Sequence, residues 1–211
     1  QFIAFHSNPS GQWEIFVVPV SGGNPRNLTA HSATDAFPSF SRDGRWIYFN
    51  SDRIGEQSGE RQIWKIPASG GEAVQMTNVV GYGAFESPDG ADLYYAATVD
   101  NTPGPLWRRS AAGGQPARIL EGVVLGNFAV GERGIYYVDR PSGEGGDRYI
   151  DRPAGETRLR YFDLATGRST TVSGNLGSVD IGLTATPDGR TILFSRVDSS
   201  VDDLMLVENF R

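Results

Sequence analysis

A set of four short strands recurs along this chain about every 44 residues. No other feature restricts the fold as strongly. One apolar position marks the repeats, with spacings of 44, 46, 42 and 57 residues between Ile3, Ile47, Leu93, Ile135 and Ile192. Four strands in about 40–45 residues are typical of one blade of a β-propeller. The sequence therefore predicts an all-β propeller built of four-stranded antiparallel blades.

The second repeat shows the unit most clearly. Its predicted strands, named A to D, cover residues 37–41, 46–49, 62–67 and 73–77. Strands A and B are joined at Asp43-Gly44, a hairpin signal, because glycine accepts a positive φ and aspartate binds nearby backbone amides. Trp64 lies in strand C, where we expect its ring to pack between blades.

The five visible repeats divide one propeller domain, or a fragment of one, over residues 1–211. The boundaries are approximate and fall at 1–34, 35–81, 82–125, 126–180 and 181–211. The fourth repeat is stretched by an insertion at 139–156. The first repeat lacks strand A and the last lacks strand D, so we expect further blades upstream and six to eight in all. Open blade edges would favour self-association.

Charge and composition exclude several classes of function. The net charge is −6 and the isoelectric point about 4.9, which disfavours nucleic acid as a partner because phosphate binding needs clustered cations. Cysteine is absent, which rules out disulfides and thiolate chemistry. No apolar run reaches about 18 residues, so membrane insertion is not expected. No cofactor is predicted.

The repeats resemble a known family. Residues 41–49 (SRDGRWIYF), followed by Ser51-Asp52-Arg53 and Ser69-Gly70-Gly71, are similar to the WD40-like repeat of TolB-type propellers. Residues 87–90 (SPDG) and 186–189 (TPDG) match its core most closely. The resemblance implies the C-terminal propeller of a bacterial multi-domain regulatory or sensor protein. TolB itself is a periplasmic protein of the Tol–Pal system, so an extracytoplasmic location is favoured over the cytoplasm.

Two sets of connections distinguish the two ends of the predicted blades. The A–B and C–D turns are short, whereas the B–C and D–A connections are longer and differ between repeats. Variable loops on a rigid scaffold usually carry binding. We therefore predict that a protein partner or small ligand binds at the long-loop face and in the channel. The candidate ligand-binding residues are His31, Asp35, Arg53 and Glu86. The alternative is that these loops are only solvated connectors.

Glu86 occupies the strand A position that holds Phe40 and Ala185 in other repeats. A buried acid there needs a partner or water, so it either lines the channel or pairs with a neighbouring blade. His6 and His31 are too few for a zinc site, and no metal is predicted. A solvated acidic loop accounts for Asp198, Asp202 and Asp203. Formation of the short turns accounts for Asp43, Asp89 and Asp188, which recur with the repeat.

These observations favour a non-catalytic module for protein–protein interaction or ligand sensing. No Gly-x-Ser-x-Gly elbow and no phosphate-binding glycine loop occurs in the chain. Two alternatives stay open. One is a propeller enzyme acting on carbohydrate or peptide, and the other is a component of a Tol-like envelope assembly.

Overall fold

The chain is a stack of antiparallel sheets. The computed structural model describes residues 1–54, 60–97, 103–139, 157–186 and 190–197. Within these ranges there are sixteen strands and no helix, hence no helix long and apolar enough to cross a membrane. The predicted all-β class is confirmed.

The first two repeats form separate sheets, each in sequence order. The strands of the first are β1 (Phe2–Ser7), β2 (Glu14–Pro19) and β3 (Arg26–Asn27). Those of the second are β4 (Asp35–Phe40), β5 (Trp46–Ser51), β6 (Gln62–Pro67) and β7 (Val74–Gln75). Strands β4 to β7 are the predicted strands A to D, and β1 to β3 correspond to B, C and D.

The third and fourth repeats share a single seven-stranded sheet. Its first strands are β8 (Tyr82–Glu86), β9 (Asp92–Ala96) and β10 (Gly104–Ser110). They are followed by β11 (Ala117–Val130), β12 (Gly134–Asp139), β13 (Arg158–Asp163) and β14 (Arg168–Ser173). The fifth repeat contributes β15 (Ser178–Ala185) and β16 (Ile192–Val197). Its predicted strand C at 204–207 and most of the insertion lie outside the described residues.

Strand β11 runs without interruption across the predicted boundary between the third and fourth repeats at 125–126, where the sequence analysis expects one repeat to end and the next to begin. Its first half pairs with β10 and its second half with β12, so one strand serves two repeats. Two glycines inside it have positive φ, Gly122 at 81° and Gly126 at 66°. Glycine tolerates such angles without a Cβ clash, which lets the strand bend between the two repeats, where its pairing with both neighbours shifts register.

Apolar clusters between successive sheets form the core. One joins the first and second sheets through Ile15, Val17, Ile47 and Phe49, with Trp64 packed against it as predicted. The next joins β5 and β6 to β8 and β9 through Tyr48, Ile63, Leu93 and Tyr95. The strands β4, β8, β11 and β15 also contact one another in succession. We call these four the inner strands.

The position that marks the repeats is fully buried at Ile47, Leu93 and Ile135, each 0% exposed. In β1 the equivalent residue, Ile3, is 52% exposed. The difference has a simple cause, because Ile47 packs against the preceding sheet through Ile15 and Val17, whereas the face of the first sheet that carries Ile3 has no sheet packed on it within the described residues. Strand β1 also has no pairing partner at its outer edge in the described part of the chain. Self-association through this edge stays a prediction.

The short turns between the first two strands of a repeat are built alike. In the second repeat Asp43 Oδ1 accepts hydrogen bonds from Ser41 Oγ at 2.7 Å and the Arg45 amide at 3.0 Å. In the third, Asp89 Oδ1 accepts them from Ser87 Oγ at 2.5 Å and the Ala91 amide at 3.0 Å. These bonds hold the pKa of both carboxyls below the usual value, to about 2 for Asp43. Both aspartates are therefore turn formers, as predicted. Asp188 lies outside the described residues.

Candidate functional site on the long-loop face

The long-loop face is the end of the sheets opposite the Asp-Gly turns. Neighbouring repeats are tied together there by the same backbone bond used twice. The Asp35 amide donates to the Trp13 carbonyl, and the Gly81 amide donates to the Arg61 carbonyl, both at 2.9 Å. Trp13 and Arg61 each lie directly before the third strand of their repeat. The fold therefore fixes these two side chains at equivalent places on the same face.

Asp35 and Arg53, both nominated from the sequence, form an ion pair under this face. Arg53 Nη2 lies 2.7 Å from Asp35 Oδ2, and Asp35 is 0% exposed. The guanidinium also donates from Nε to Ser51 Oγ at 3.1 Å. It lies 5.4 and 5.5 Å from the ring centroids of Phe49 and Trp64. The pair is thus engaged by protein groups, and it supports the face rather than presenting a charge to solvent.

His31 is exposed and lies in the connection that enters β4. Its Nδ1 accepts a hydrogen bond from the Ala33 amide at 2.9 Å. The same connection is held by Asn27 Oδ1, which accepts from the amides of Thr29 and Ala30. Next along the chain, the Thr34 amide donates to Asp52 Oδ1 at 2.7 Å. His31 therefore lies on an ordered part of the long-loop face, as predicted, while its ligand-binding role stays a prediction.

Four aromatic side chains and one arginine meet on this face. We call them the aromatic patch, which consists of His6, Trp13, Phe37, Tyr82 and Arg61. The His6 ring lies 5.2 Å from that of Trp13 and 5.5 Å from that of Phe37, while Phe37 and Tyr82 are 6.5 Å apart. Arg61 lies over Tyr82 at 6.0 Å. The patch joins three consecutive repeats, with Phe37 at its centre.

Phe37 has a backbone conformation that is rare for a residue with a side chain. Its φ is +55°, and only Ala30 shares a positive φ among the described non-glycine residues. Phe37 lies where the pairing of β4 with β5 shifts register, and each of the other three inner strands shifts in the same region. In those strands the left-handed residue is a glycine, at Gly83, Gly126 and Gly182. One repeat therefore has a bulky ring where the others have no side chain at all.

The electrostatics of the patch keep His6 neutral near pH 7. Burial lowers the pKa of the His6 imidazole from its usual 6.5, and the positive charge of Arg61 lowers it further. A neutral imidazole packs its ring against Trp13 and Phe37 without carrying a charge into a half-buried place. The patch thus presents apolar rings with a single cation, Arg61, at its edge.

Glu86 lies apart from the other nominated residues, at the short-turn end of β8. Its Oε1 accepts a hydrogen bond from the Tyr48 hydroxyl at 2.6 Å and its Oε2 accepts one from the Arg42 amide at 2.7 Å. The Arg42 guanidinium returns two bonds to the backbone carbonyls of Glu86 and Ser87. Glu86 is 8% exposed. The structure therefore places it in a bridge between repeats, away from Asp35, Arg53 and His31.

Metal binding finds no ready site in the described ranges. No group of three or more His, Cys, Asp or Glu side chains is suitably placed there to hold an ion. His6 packs against Trp13 and Phe37 in the aromatic patch, whereas His31 lies in the connection that enters β4. Residues Asp198, Asp202 and Asp203, predicted above to form a solvated acidic loop, lie outside the described residues.

The relationship to known proteins follows from the sequence and the fold together. A sequence model of the TolB beta propeller domain matches residues 1–121, more than half of the chain. The chain belongs to this family. The resemblance inferred from the Ser/Thr-Pro-Asp-Gly and Ser-Gly-Gly motifs is thereby confirmed, and so is the propeller fold.

Relatives in sequence match over short stretches. The Tol-Pal system protein TolB of Bordetella pertussis is 41% identical over 61 residues, which is 28% of this chain and 13% of that protein. An uncharacterized protein of Agrobacterium fabrum is 31% identical over 88 residues, 40% of this chain and 28% of its own length. The matched part of this chain thus spans less than a third of the curated relatives.

Solved structures share the fold over nearly the whole chain. TolB from Acinetobacter baumannii superposes with a TM-score of 0.71 at 19% identity, covering 93% of this chain and 46% of that one. An oligogalacturonate lyase from Vibrio parahaemolyticus superposes with a TM-score of 0.60 at 16% identity, covering 93% and 53%. The fold is therefore found both in TolB and in an enzyme.

Sequence reasoning missed the aromatic patch, although a signal was present. The short turns begin at Ser41, Ser87 and Thr186. The residues four positions before these are Phe37, Gly83 and Gly182, respectively. A single phenylalanine in a column of glycines marks the position. The remaining patch residues come from different repeats, and only the fold shows that they meet.

Proposed function

We propose that this propeller is a non-catalytic module that binds a protein partner through the long-loop face, with the aromatic patch as the contact. The observation that carries the proposal is Phe37, held at a φ of +55° where three other inner strands have glycine. A strained residue of this kind costs on the order of 1–3 kcal/mol and persists when the surroundings enforce it, commonly at functional sites. Trp13, which packs against His6 in the same patch, is 42% exposed.

The chemistry of the patch suits a protein partner. Tryptophan, tyrosine and arginine are the residues most enriched in the few contacts that dominate protein–protein affinity. Trp13 and Arg61 supply two of these types at the accessible part of the patch, while Tyr82, which is buried, packs against the Phe37 ring and supports it. The matching surface on the partner has an apolar side chain for the rings and an acidic group for Arg61.

The family suggests where this partner is found. Several curated relatives are named as Tol-Pal system proteins, so we infer an extracytoplasmic location and a partner within an envelope assembly. A regulatory or sensor role in a multi-domain protein is the alternative within the same proposal. Enzymatic activity is supported at the level of fold alone, as by the likeness to the lyase, and loss of a measured activity in His6→Ala or His31→Ala would be its test.

The test is binding of the soluble domain of the cognate Pal-type envelope lipoprotein to the immobilised propeller. Trp13→Ala and Phe37→Gly should each weaken the affinity at least about tenfold, since contacts of this type contribute about 2 kcal/mol or more. Phe2→Ala is the matched control. Phe2 is an aromatic residue that is 56% exposed on β1, the strand of His6, but near its other end.

The outcomes separate the parts of the proposal. Equal losses in Phe2→Ala and Trp13→Ala would move the contact to the open edge of β1 and refute the patch. Full affinity in both patch variants would refute it as well. If the lipoprotein does not bind the unaltered propeller, the envelope assignment is wrong.

A further inference from the structure

A cavity of about 290 Å³ lies between the second and third repeats, on the outer side of the sheets. It is bounded by residues 75–78, which include and follow the end of β7, by β9 and β10, and by the turn at 114–116. Its polar lining residues are Gln75, Thr77, Asn78, Tyr95, Arg109 and Gln115. None of them belongs to the aromatic patch, so this cavity is a separate feature of the molecule.

Among the described residues that line the cavity, Arg109 is the only charged one. It lies opposite Leu93 in the pairing of β10 with β9, and Trp107, two residues before it, lies opposite Tyr95. Alternation along a strand places these four side chains on the face that packs against the second repeat. Within the described residues Arg109 has no ion pair, and its buried Nε has no hydrogen-bond partner.

The neighbouring arginine behaves differently. Arg108 points to the opposite face of β10, and its Nη2 lies 2.7 Å from Asp92 Oδ2. The bond to Asp92 raises the pKa of Arg108. The two successive arginines therefore differ in their partners. Arg108 is paired with a carboxylate of this chain, whereas Arg109 faces the cavity and has no carboxylate partner among the described residues.

Tyr95 provides a second group without a partner. Its side chain is 0% exposed, and its hydroxyl makes no hydrogen bond within the described residues. A buried hydroxyl without a partner is costly, which makes an acceptor at this place favourable. Burial raises the pKa of Tyr95, and the charge of Arg109 opposes the rise only in part, so the hydroxyl stays protonated and is a donor.

We propose that this cavity binds a small oxyanion, a carboxylate or phosphate group, held by the Arg109 guanidinium and the Tyr95 hydroxyl. A guanidinium presents a planar fork of donors that matches these anions in two-point geometry. The exposed amides of Asn78 and Gln115 supply further donors at the mouth. Gln75 and Thr77 are less available, because Gln75 Nε2 donates to the Thr77 carbonyl and Thr77 Oγ1 donates to the Val79 carbonyl.

The experiment titrates the intact chain with sodium succinate and, separately, with inorganic phosphate, and follows binding by calorimetry. Arg109→Gln should weaken binding at least about tenfold, because hydrogen bonds to charged groups are among the strongest. Arg108→Gln removes the same charge one residue away, on the opposite face, and should change affinity by less than about twofold. Tyr95→Phe keeps the ring and loses only the donor, and should weaken binding about two- to tenfold.

The two probes identify the source of the anion. Tighter binding of succinate indicates a carboxylate-bearing ligand, and tighter binding of phosphate indicates a phosphorylated one. Equal weakening in Arg108→Gln and Arg109→Gln would show only general attraction to positive charge and would overturn the proposal. Absence of saturable binding for both probes would overturn it too. If Arg109→Gln does not fold, Arg109→Lys retains the charge without the fork, and unchanged affinity in that variant would count against the site.

Discussion

Strands β4 and β8 occupy the same place in successive repeats, and they make the same backbone bend with different residues. Each shifts register at a residue with a φ of +55°, which is Phe37 in β4 and Gly83 in β8. Glycine reaches this angle without strain, whereas phenylalanine does not. A Cβ on Gly83 would meet Gly126 Cα at 3.4 Å, while the Phe37 ring lies between those of His6 and Tyr82. The bend is common to the inner strands, whereas the aromatic ring at the bend is specific to β4.

The most severe way to break this comparison is Gly83→Phe, which puts a ring into β8 as well. Backbone strain and overpacking against the neighbouring inner strand should together cost roughly 2–6 kcal/mol of unfolding free energy, measured in urea. Gly44→Phe is the control, since Gly44 has a φ of +70° with open space around its Cβ position. Equal losses in the two variants would mean that strain alone acts and that β8 has room for a ring.

The same strands also differ at their other ends, where Phe40 in β4 corresponds to Glu86 in β8. Glu86→Gln should cost about 1–3 kcal/mol, because the carboxylate accepts from the Tyr48 hydroxyl and the Arg42 amide on two different oxygens, whereas glutamine has one acceptor oxygen and no charge. Unfolding of this variant, of Tyr48→Phe and of the double variant gives the coupling energy. Strict additivity would show that the bridge between repeats contributes nothing specific.

A finer comparison separates the backbone of Phe37 from its ring. Phe37→Ala and Phe37→Gly both remove the ring, but only glycine releases the strain at a φ of +55°. The glycine variant should therefore be the more stable of the two by roughly 1 kcal/mol in chemical denaturation. A more stable alanine variant would contradict the strained conformation of Phe37.

The smallest expected effect is a dependence of stability on pH. Because the folded-state pKa of His6 lies below its usual 6.5, the unfolded chain takes up a proton first as the pH falls. Stability should decline from pH 6.5 downward until the folded state is also protonated, and it should be unaffected by His6 above that range. His6→Phe should remove this part of the pH profile. An unchanged profile in that variant would exclude His6 as its source.

The sequence predicted the fold well because the fold is repetitive and local. Alternating residues and turns such as Asp43-Gly44 specify strands and hairpins within about 45 residues, and the structure confirms them in the repeats that it describes. The continuous strand β11 was not predicted, because Gly122, Gly126 and Asn127 are residue types that are common in turns and therefore indicate a break. Whether such a segment turns or merely bends is decided by its pairing partners.

The candidate site was harder to predict than the fold. Asp35 and Arg53 were placed on the correct face, but their ion pair is formed across two strands and is invisible in the sequence. Glu86 was expected near the same site because it interrupts an apolar strand, and its partners at the short-turn end became evident only from the fold. Buried acids satisfied by a neighbouring repeat cannot be distinguished by composition from acids that face a ligand.

The shared strand β11 has a consequence for how the molecule comes apart. Its backbone is hydrogen-bonded to β10 on one side of the bend and to β12 on the other. Local unfolding of either repeat therefore also breaks backbone hydrogen bonds of the other repeat. The first two repeats have no such common strand and are joined only through side chains and a few backbone links. Amide protons of β8 to β14 should thus exchange as one cooperative unit, while β1 to β3 open by themselves.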